Sequence, residues 1–517
     1  MKRVLYNTCV VDPWVKVAGV LKEKHGYEPV YWIGYSYDNS YHIVRDKFPE
    51  IEYQSTEEAW KAVFPQKVQA HFNDYQVDID FIHKYSSYEI QAFTMMNRID
   101  YDRRSFCYME RERHYNNLIK YWEACLDLYK IDVVISAVTP HRVYDYVLYL
   151  LCKERGIPFL TYQYSMTEGR IYSSKDFEVL DDRFTESYNK YLDLGNLQWD
   201  GIDKNIRKSY ESVISDYSVA VPYYMKEHKA NSQKSNKISY WITQYIERRL
   251  QFAKQTPHGS KKHFWKNTQT CFKKKDLSLE STYMTPFNYW VLWKRAMSFK
   301  TKLRKFYDLS TTMPNKNDNY ILFPLHYQPE QTTSPTGGLF VNQLLAIEML
   351  LKYTPSDYYI YVKEHPTEFM AQFLGQTSRT IDFYKDLINN PRVKLMPLNA
   401  NPYELMKNAK AVATISGTVG WEAICNKKPV VIFGSIWYEK FNGVLRIKDS
   451  LSASKIMNFI DNYRFNEHDL LAYLYSFQEN SIVAYHYDGY KEHCDVTEEE
   501  SVNIFLMIFI IFWVISY

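Results

Sequence analysis

The chain has 517 residues, of which 46% are hydrophobic and 24% are charged, and its formal net charge is +3. These proportions exclude an intrinsically disordered chain, and the length leaves room for roughly two to four domains. The small net charge gives no reason to expect a nucleic-acid partner. Aromatic residues make up 17% of the chain, including 48 tyrosines, and this favours a packed protein with large contact surfaces.

The seven cysteines are scattered and form no CxxC pair. They therefore predict neither a zinc ribbon nor a disulfide framework. The N-terminal residues contain no apolar stretch of the length that a signal peptide needs. We expect a cytoplasmic protein whose thiols are reduced.

The first 220 residues alternate between short apolar runs and amphipathic stretches. The strands are predicted at Arg3–Tyr6, Pro29–Ile33, Asp132–Ala137 and Phe159–Tyr164, and the helices at Trp14–Lys24 and Val143–Arg155. Strands that alternate with helices are typical of a parallel sheet with covering helices. This region is therefore predicted to be a Rossmann-like domain.

Residues 225–310 differ in charge from the rest of the chain. They contain nineteen Lys or Arg against five Asp or Glu, a local net charge of +14, which leaves about −11 elsewhere. Four tryptophans are interleaved with these charges: Trp241, Trp265, Trp290 and Trp293. One interpretation is a helical region that binds an anionic membrane surface. Another is a solvated helical insertion whose aromatic residues pack on the neighbouring domain. A nucleic-acid groove is disfavoured, because no recognised nucleic-acid motif accompanies the charge.

The α/β pattern returns from Tyr320 onwards. Strands are predicted at Tyr320–Pro324, Tyr358–Val362, Val393–Met396, Ala411–Ile415 and Pro429–Phe433, and helices at Phe340–Tyr353, Pro402–Asn408 and Trp421–Cys425. The predicted fold class is α/β and GT-B-like, with two Rossmann-like domains facing a cleft and a basic, aromatic-rich, largely helical insertion between them. The expected boundaries are 1–220, 221–310, 311–475 and 476–517.

A short apolar run, Ile504–Ile515, lies near the C-terminal end of the sequence. It has about 12 residues, whereas a membrane-spanning helix needs about 20. A buried helix, an interfacial anchor and a tail altered by a change of reading frame all remain open.

Three loops of the C-terminal half follow predicted strands, where ligands bind in open α/β sheets. The first, Gln328–Gly338, is rich in hydroxyls and glycine and leads into a helix. Its hydroxyls and backbone N–H groups suit phosphate oxygens, whereas helix capping explains only one such residue. Gln328, Thr332 and Ser334 are its candidate binding residues.

The second loop is Lys363-Glu364-His365-Pro366. The proline restricts His365 to an extended backbone, which would hold the imidazole at the sheet edge, where it can donate to a phosphate. The alternative is a structural histidine whose hydrogen bonds are satisfied within the protein. All four residues are candidates for donor binding.

The third loop runs from Ser416 to Glu422. Its glycines permit close backbone approach to an anion, and the hydroxyls of Ser416 and Thr418 add donors. Glu422 lies one turn into the predicted helix, where its carboxylate can accept from ribose hydroxyls. The loop is neither GxGxxG nor a Walker loop, which disfavours a dinucleotide cofactor and an ATPase.

Residues 321–438, with the segments FPLHYQPEQTTSPTGGLF, VKEHPTEF and TISGTVGWEAICNKKPVVIFGSIWY, closely resemble the bacterial capsular polysaccharide synthesis (capsule synthase) family. The segment ISAVTPHRVYDYVLYLLCKERGIPFLTYQY also resembles it. The resemblance implies the GT-B fold and a glycosyltransferase, in a family that includes Kdo transferases using a CMP-activated sugar. The His-Pro and Ser/Thr-rich motifs are also similar to those with which GT-B sialyltransferases hold CMP.

The resemblance also implies residue roles. His365, Pro366, Ser416, Gly417, Thr418 and Glu422 match the donor-nucleotide motifs, and Gln328, Glu330, Thr332 and Ser334 match the loop on the phosphate or sugar side. GT-B enzymes usually take the catalytic group from the N-terminal domain, where His141 and Asp145 are candidates with Glu168 behind them. Glu330, in the C-terminal half, is a further catalytic candidate. Asp145 could equally be a helix-start acid that the dipole favours.

We expect no permanently bound cofactor and no metal, with a nucleotide-sugar donor as co-substrate. The DxD-like triplet Asp78-Ile79-Asp80 is interpreted as a chance occurrence. The predicted protein is peripheral at the inner face of the cell membrane and transfers a sugar to a capsular polysaccharide or its lipid-linked primer, with other capsule-assembly proteins as further partners. The alternatives are a polyol-phosphate transferase, a nucleotide-sugar epimerase and a non-catalytic assembly or export factor.

Overall fold

The computed structural model describes residues 1–10, 12–35, 40–100, 106–165, 167, 169–215, 242–243, 246, 286–371, 373–487, 491 and 494–513. The chain divides into two units. The first comprises Met1–Phe93, Tyr108–Tyr188 and Tyr475–Tyr517, and the second comprises Thr94–Cys107 and Asn189–Leu474. Most of the predicted basic insertion lies outside the described residues. The domain boundaries expected from the sequence stay predictions.

Thirteen strands occur in the described residues. They are β1 (Lys2–Asn7), β2 (Tyr27–Gly34), β3 (Glu52–Ser55), β4 (Val133–Ser136), β5 (Phe159–Tyr164), β6 (Arg170–Ser174), β7 (Asn319–Pro324), β8 (Tyr358–Lys363), β9 (Val393–Leu395), β10 (Ala411–Thr414), β11 (Val430–Ile432), β12 (Val444–Arg446) and β13 (Ile482–Val483).

Helices connect most of these strands. In chain order, the α-helices are Asp12–His25, Ser40–Lys47, Thr56–Trp60, Gln66–Ala70, Ile79–Met95, Tyr108–Leu128, Val143–Arg155, Asp182–Leu192, Lys204–Ser215, Pro286–Ser310, Gln343–Tyr353, Ile381–Ile388, Pro402–Asn408, Thr418–Cys425, Ser450–Ala453, Ile456–Asn462, Glu467–Asn480 and Glu498–Trp513. Short 3-10 turns occur at Phe72–Asp74, Met96–Arg98, Trp199–Gly201, Gly338–Val341, Pro366–Phe369 and Gly375–Thr377.

The first unit contains a seven-stranded sheet in the order β13-β6-β5-β4-β1-β2-β3. Strands β5, β4, β1, β2 and β3 are parallel, whereas β6 pairs antiparallel with both β5 and β13. Val4, Leu5 and Tyr6 of the central strand β1 are fully buried. Such a continuous buried run is typical of a parallel strand that is covered on both faces.

The second unit contains a six-stranded, fully parallel sheet in the order β12-β11-β10-β7-β8-β9. From β9 across to β12, the strands lie side by side in the order of the doubly wound Rossmann fold. This order reverses between β7 and β10. Ile321, Phe323, Ile360, Val362 and Ala413 place the sheet in the buried core. The structure confirms the α/β class and the two Rossmann-like sheets. The predicted cleft between them stays a prediction.

The apolar C-terminal run belongs to the helix Glu498–Trp513, which packs in the first unit. Phe505 stacks on Trp14 with ring centroids 4.5 Å apart, and Phe509 meets the edge of Tyr27 at 4.7 Å. This packing agrees with the interpretation as a buried helix, while residues 514–515 of the run lie outside the described residues. No helix in the described part of the chain combines the length and hydrophobicity needed to cross a bilayer.

Candidate functional site

The candidate site lies at the carboxyl edge of the second sheet, where the strand order reverses between β7 and β10. Ligands of doubly wound folds bind at such a reversal, because the loops of the two neighbouring strands leave towards opposite faces and open a crevice. The loops Gln328–Gly338 and Ser416–Glu422 follow β7 and β10. Two of the three predicted loops therefore meet at this reversal, and the third follows the adjacent strand β8.

Direct hydrogen bonds join the loops after β7 and β10. The Ser416 hydroxyl donates to the Thr332 carbonyl at 2.6 Å and lies 3.0 Å from the Thr336 hydroxyl. Ser334 is fully buried in the same loop. Ser416 and Thr332, predicted to bind a donor, are thus brought together, and Ser416 fixes the spacing of the two loops.

Glycine permits the close approach of these loops. A Cβ on Gly417 would lie 2.7 Å from His326 Cε1 and 2.9 Å from the Thr414 hydroxyl. A Cβ on Gly337 would lie 2.7 Å from Ile415 Cγ2. All three distances are shorter than van der Waals contact, so any larger residue would displace the loops.

The helix Thr418–Cys425 starts at this edge without a side-chain cap. Its N-cap residue is Gly417, and no described side chain accepts from the first turn. The initial N–H groups of a helix have no intrahelical partner and carry partial positive charge. This helix start is therefore suited to a phosphate group.

His326, which the sequence analysis did not single out, lies buried just after β7. Its Nε2 accepts the Ile415 N–H at 3.2 Å and lies 2.9 Å from the Thr414 hydroxyl. Burial lowers the pKa of His326 to about 3, with smaller effects of His365 and Arg379. The imidazole is neutral and holds the ends of β7 and β10 together. The sequence could have indicated His326 as a candidate, because it directly follows a predicted strand.

His365 follows β8 and is neutral as well. Its Nδ1 lies 2.6 Å from the Thr367 hydroxyl and accepts the Thr367 N–H at 3.4 Å. Burial is the main cause that lowers its pKa to about 4. Since Nδ1 is an acceptor, the proton lies on Nε2, which can donate to a ligand. The next residue, Pro366, begins a short 3-10 turn.

Lys363 is the last residue of β8 and is only 8% exposed. Among the described residues, its ammonium group has no ion-pair partner. Burial lowers the pKa of Lys363, and the neighbouring Glu364 partly offsets this effect. A shielded cation without a direct ion pair in the described part of the chain is favourable for an anionic ligand.

Glu364 is completely engaged within the protein. Its Oε2 accepts from Arg379 Nε at 2.9 Å and from the Tyr384 hydroxyl at 2.6 Å, and its Oε1 accepts the His365 N–H at 2.8 Å. Arg379 also donates to Gln328 Oε1 at 2.7 Å. The structure thus places Glu364 and Gln328, both predicted to bind the donor, in a buried network that positions His365 and the loop after β7.

Further buried charges lie next to this network. Glu368 Oε2 accepts the Gln328 N–H at 3.3 Å, and burial raises the Glu368 pKa to about 8. Lys300 donates to the carbonyls of Met370 and Phe373 at 2.6 and 2.5 Å. Burial lowers the Lys300 pKa to about 7, against an opposing effect of Glu368. Sequence reasoning missed Arg379, Glu368 and Lys300, because none of them directly follows a strand.

Glu422 and Glu330 are the remaining carboxyl candidates of this unit. Glu422 is 9% exposed, its Oε1 accepts from the Thr418 hydroxyl at 3.4 Å, and burial raises its pKa to about 7. Glu330 accepts from the Thr332 hydroxyl at 2.7 Å. Burial raises the pKa of Glu330, while Thr332 and the charge of Arg98 lower it. Each carboxyl can exchange hydrogen bonds with sugar hydroxyls.

His141 and Asp145 lie after β4, where the strand order of the first sheet reverses between β1 and β4. Asp145 is fully buried, and its two oxygens accept the Arg142 N–H at 2.7 Å and the His141 N–H at 3.4 Å. It therefore caps the helix Val143–Arg155. His141 Nδ1 donates to the Thr139 carbonyl at 2.8 Å, so Nε2 carries the lone pair of the ring.

The described residues contain no group of three or more His, Cys, Asp or Glu side chains arranged to hold a metal ion. In the triplet at 78–80, the Asp78 carboxylate accepts the Asp80 N–H at 2.9 Å. This bond is a local turn contact at the start of the helix Ile79–Met95.

Comparison with known families agrees with the sequence motifs. Residues 267–453 match the family model described as "Capsule polysaccharide biosynthesis protein". This match confirms the resemblance to the capsular polysaccharide synthesis family, and the matched region contains all three loops of the second sheet. No curated protein matches the chain closely enough to count as a relative.

Three solved structures illustrate the likeness in fold. The beta Kdo 2,7 transferase KpsC of Thermosulfurimonas dismutans is 12% identical, with 75% of this chain and 89% of that chain covered, at a TM-score of 0.28. UDP-GlcNAc 2-epimerase from Methanocaldococcus jannaschii is 12% identical, with 90% and 94% covered, at 0.24. A glycosyltransferase from Rickettsia africae is 11% identical, with 98% of both chains covered, at 0.22. At such identities and TM-scores, nothing about activity is carried over from these proteins.

Proposed function

We propose that the chain is a glycosyltransferase of capsule polysaccharide biosynthesis. It transfers a sugar from a nucleotide-activated donor, CMP-Kdo or another CMP-sugar, to a surface polysaccharide or its lipid-linked primer. The observation that carries this proposal is the uncapped start of the helix Thr418–Cys425 at the strand-order reversal. The family match over residues 267–453 supports the assignment to capsule synthesis.

The proposed donor site acts on the charge that develops on the leaving phosphate. The N–H groups at the helix start, the Nε2–H of His365 and the ammonium of Lys363 are preorganised donors of positive potential. Such groups stabilise charge without reorganising during the reaction. Glu422, one turn into the helix, accepts from the ribose hydroxyls of the nucleotide.

Transfer also needs a base for the acceptor hydroxyl. We assign this role to His141, because its Nδ1 is fixed as a donor to Thr139 and its Nε2 keeps the lone pair. Asp145 accepts the backbone N–H groups of His141 and Arg142, which makes it a positioning residue. Glu330 is a second candidate for proton transfer, since burial raises its pKa.

Thermal unfolding with CMP, CDP, UDP and GDP tests the donor site. A ligand at about 100 times its dissociation constant stabilises the folded state by about 2.7 kcal/mol. We expect a shift selective for CMP that is lost in His365→Ala and in Gly417→Ala. The matched control is His83→Ala, an exposed histidine of the first unit, which should keep the full shift.

Three outcomes contradict parts of the proposal. A preference for UDP or GDP would retain the glycosyltransferase and remove the CMP-sugar donor. A nucleotide sugar converted to its epimer without any acceptor would favour the epimerase alternative. The absence of a shift with every nucleotide would favour a non-catalytic assembly factor.

We also propose that the protein associates peripherally with an anionic membrane surface. The support is the net charge of +14 and the four tryptophans within residues 225–310, since each Lys or Arg near such a surface contributes roughly 1 kcal/mol. Deletion of Lys261–Lys275 should weaken sedimentation with vesicles that contain phosphatidylglycerol. Unchanged binding at low salt would refute this proposal.

A further inference from the structure

A separate cavity of about 430 Å³ lies in the second unit. It is open to solvent and is lined by the turn before β12, the helix Ile456–Asn462 and the chain that enters the helix Glu467–Asn480. Because this turn precedes β12 in a parallel sheet, the cavity lies at the amino edge of the strands. The donor loops follow the carboxyl ends of β7, β8 and β10, so the two sites occupy opposite edges of one sheet.

Aromatic rings form the inner surface of the cavity. Phe441, Phe459 and Tyr463 line it, and the rings of Phe459 and Tyr463 lie 6.2 Å apart. A Cβ on Gly443 would lie 2.6 Å from Phe441 Cε1 and 3.0 Å from Tyr463 Cε2. Glycine at this position therefore lets the two rings close around the turn.

Amide side chains form the polar wall. Asn442 and Asn466 donate to the two oxygens of Asp469 at 3.1 and 3.0 Å. Asn462 donates to the Asn458 carbonyl at 2.8 Å. Asn462 also donates to Asn458 Oδ1 at 2.9 Å, and Asn466 Oδ1 accepts the His468 N–H at 3.0 Å. These bonds fix the amide planes and leave the side-chain oxygens of Asn442 and Asn462 without a hydrogen bond in the described part of the chain.

Two cations, Lys455 and Arg464, also line the cavity. Arg464 Nη1 donates to the carbonyls of Asp461 and Tyr463, which holds the guanidinium group beside the aromatic rings. Asp469 is the single carboxylate of the lining. The formal charge of the lining is therefore positive.

We propose that this cavity binds an oligosaccharide segment that bears carboxylate groups. Sugar rings offer C–H faces that pack on aromatic rings and hydroxyl groups that pair with amides, and carboxylates form charge-assisted bonds with Arg and Lys. The volume lies within the range of small-ligand sites, about 300–1,000 Å³. The statement that this oligosaccharide belongs to the acceptor polymer rests on the proposed function. The statement that the cavity binds an acidic oligosaccharide does not.

Binding of trigalacturonic acid and of maltotriose to the full-length protein, measured by isothermal titration calorimetry, tests this proposal. We expect trigalacturonic acid to bind more tightly than maltotriose, and Arg464→Ser and Asn462→Ala to weaken it about tenfold each, or about 1.4 kcal/mol. Both residues are exposed, so the fold should persist. Lys385→Ser and Asn408→Ala, exposed residues of the same unit outside the cavity, are the matched controls.

Wild-type protein that binds neither saccharide at about 10 mM, or binding insensitive to Arg464→Ser and Asn462→Ala, overturns the proposal. Arg464-dependent binding without any nucleotide shift would refute the proposed donor site and leave the saccharide site standing.

Discussion

The two strand-order reversals of the molecule have the same local topology and opposite chemistry. In the first unit, β4 leads into the helix Val143–Arg155, whose start is capped by the carboxylate of Asp145. In the second unit, β10 leads into the helix Thr418–Cys425, whose N-cap is Gly417 and whose start has no side-chain cap. A carboxylate of the chain thus lies at one helix start, where it accepts the N–H groups of His141 and Arg142, whereas at the other the Thr414 hydroxyl accepts the Gly417 N–H and no carboxylate takes its place.

The side-chain contacts near these two sheet edges differ as well. At the first, Asn7 Nδ2 donates to the Ser136 hydroxyl at 2.9 Å, and this hydroxyl donates to the Val138 carbonyl at 2.7 Å. At the second edge, the corresponding contact is the fully buried ion pair of Arg379 and Glu364. A neutral network loses little when one member is removed, whereas a broken buried ion pair leaves an uncompensated charge.

The largest expected effect is that of Arg379→Leu. It should lower the free energy of unfolding of the second unit by about 3–5 kcal/mol, because Glu364 would remain buried without its counter-charge. Ser136→Ala in the first unit should lower the free energy of unfolding by only about 1 kcal/mol. Urea denaturation followed by tryptophan fluorescence measures both changes.

The control for Arg379→Leu is Lys385→Met, which removes one member of an exposed ion pair with Asp382. Exposed pairs contribute about 0–1 kcal/mol, so this variant should unfold close to the wild type. Equal destabilisation by Arg379→Leu and Ser136→Ala would show that the contrast between ionic and neutral support is wrong.

The protonation of His326 at low pH is expected to have an intermediate effect on the free energy of unfolding. Its folded pKa of about 3 lies below the unfolded value of about 6.5, so the unfolded chain binds more protons as the pH falls below 6.5. The free energy of unfolding should then fall by up to about 1.4 kcal/mol for each pH unit. His326→Asn should remove this part of the slope between pH 6.5 and 4.5 in denaturation experiments.

Other groups titrate in the same range, with the pKa of His365 lowered and those of Glu368 and Glu422 raised. They are present in both proteins, so the difference between the wild-type and His326→Asn curves isolates His326. Parallel curves would show that His326 is not kept neutral by its contacts with Thr414 and Ile415.

The smallest expected effect concerns Asp145. Loss of the cap in Asp145→Ala should lower the free energy of unfolding by about 1 kcal/mol. Asp145→Asn keeps an acceptor oxygen and should retain sugar transfer within a few-fold of the wild type, whereas His141→Ala should lose about 10²-fold or more. Initial-rate assays with the donor found by thermal unfolding measure both. Loss of transfer in Asp145→Asn at unchanged stability would make Asp145 the base.

The strands and helices that the sequence predicted lie within three residues of their observed ends, but β3, β6, β12, β13 and most of the helices were not predicted. The helix Val143–Arg155 and the strand Phe159–Tyr164 have the predicted residues at both ends, because apolar periodicity, a helix-start acid and the following glycine are local signals. The interpretation of the apolar run Ile504–Ile515 stayed ambiguous because its signal is not local. Its partner, the helix Asp12–His25, is remote in sequence, so no local pattern could show that Phe505 packs on Trp14.

Local features were likewise predictable within the candidate site, whereas contacts between remote residues were not. The three loops after strands, their glycines and the family resemblance could be predicted, because these features depend on residues adjacent in the chain. The contacts of Glu364 and Gln328 with Arg379, the bonds by which His326 joins β7 to β10, and the uncapped start of the helix Thr418–Cys425 became visible only in the folded chain. Hydrogen bonds and burial are set by residues that folding brings together from distant positions, and they determine which polar groups remain to meet a ligand.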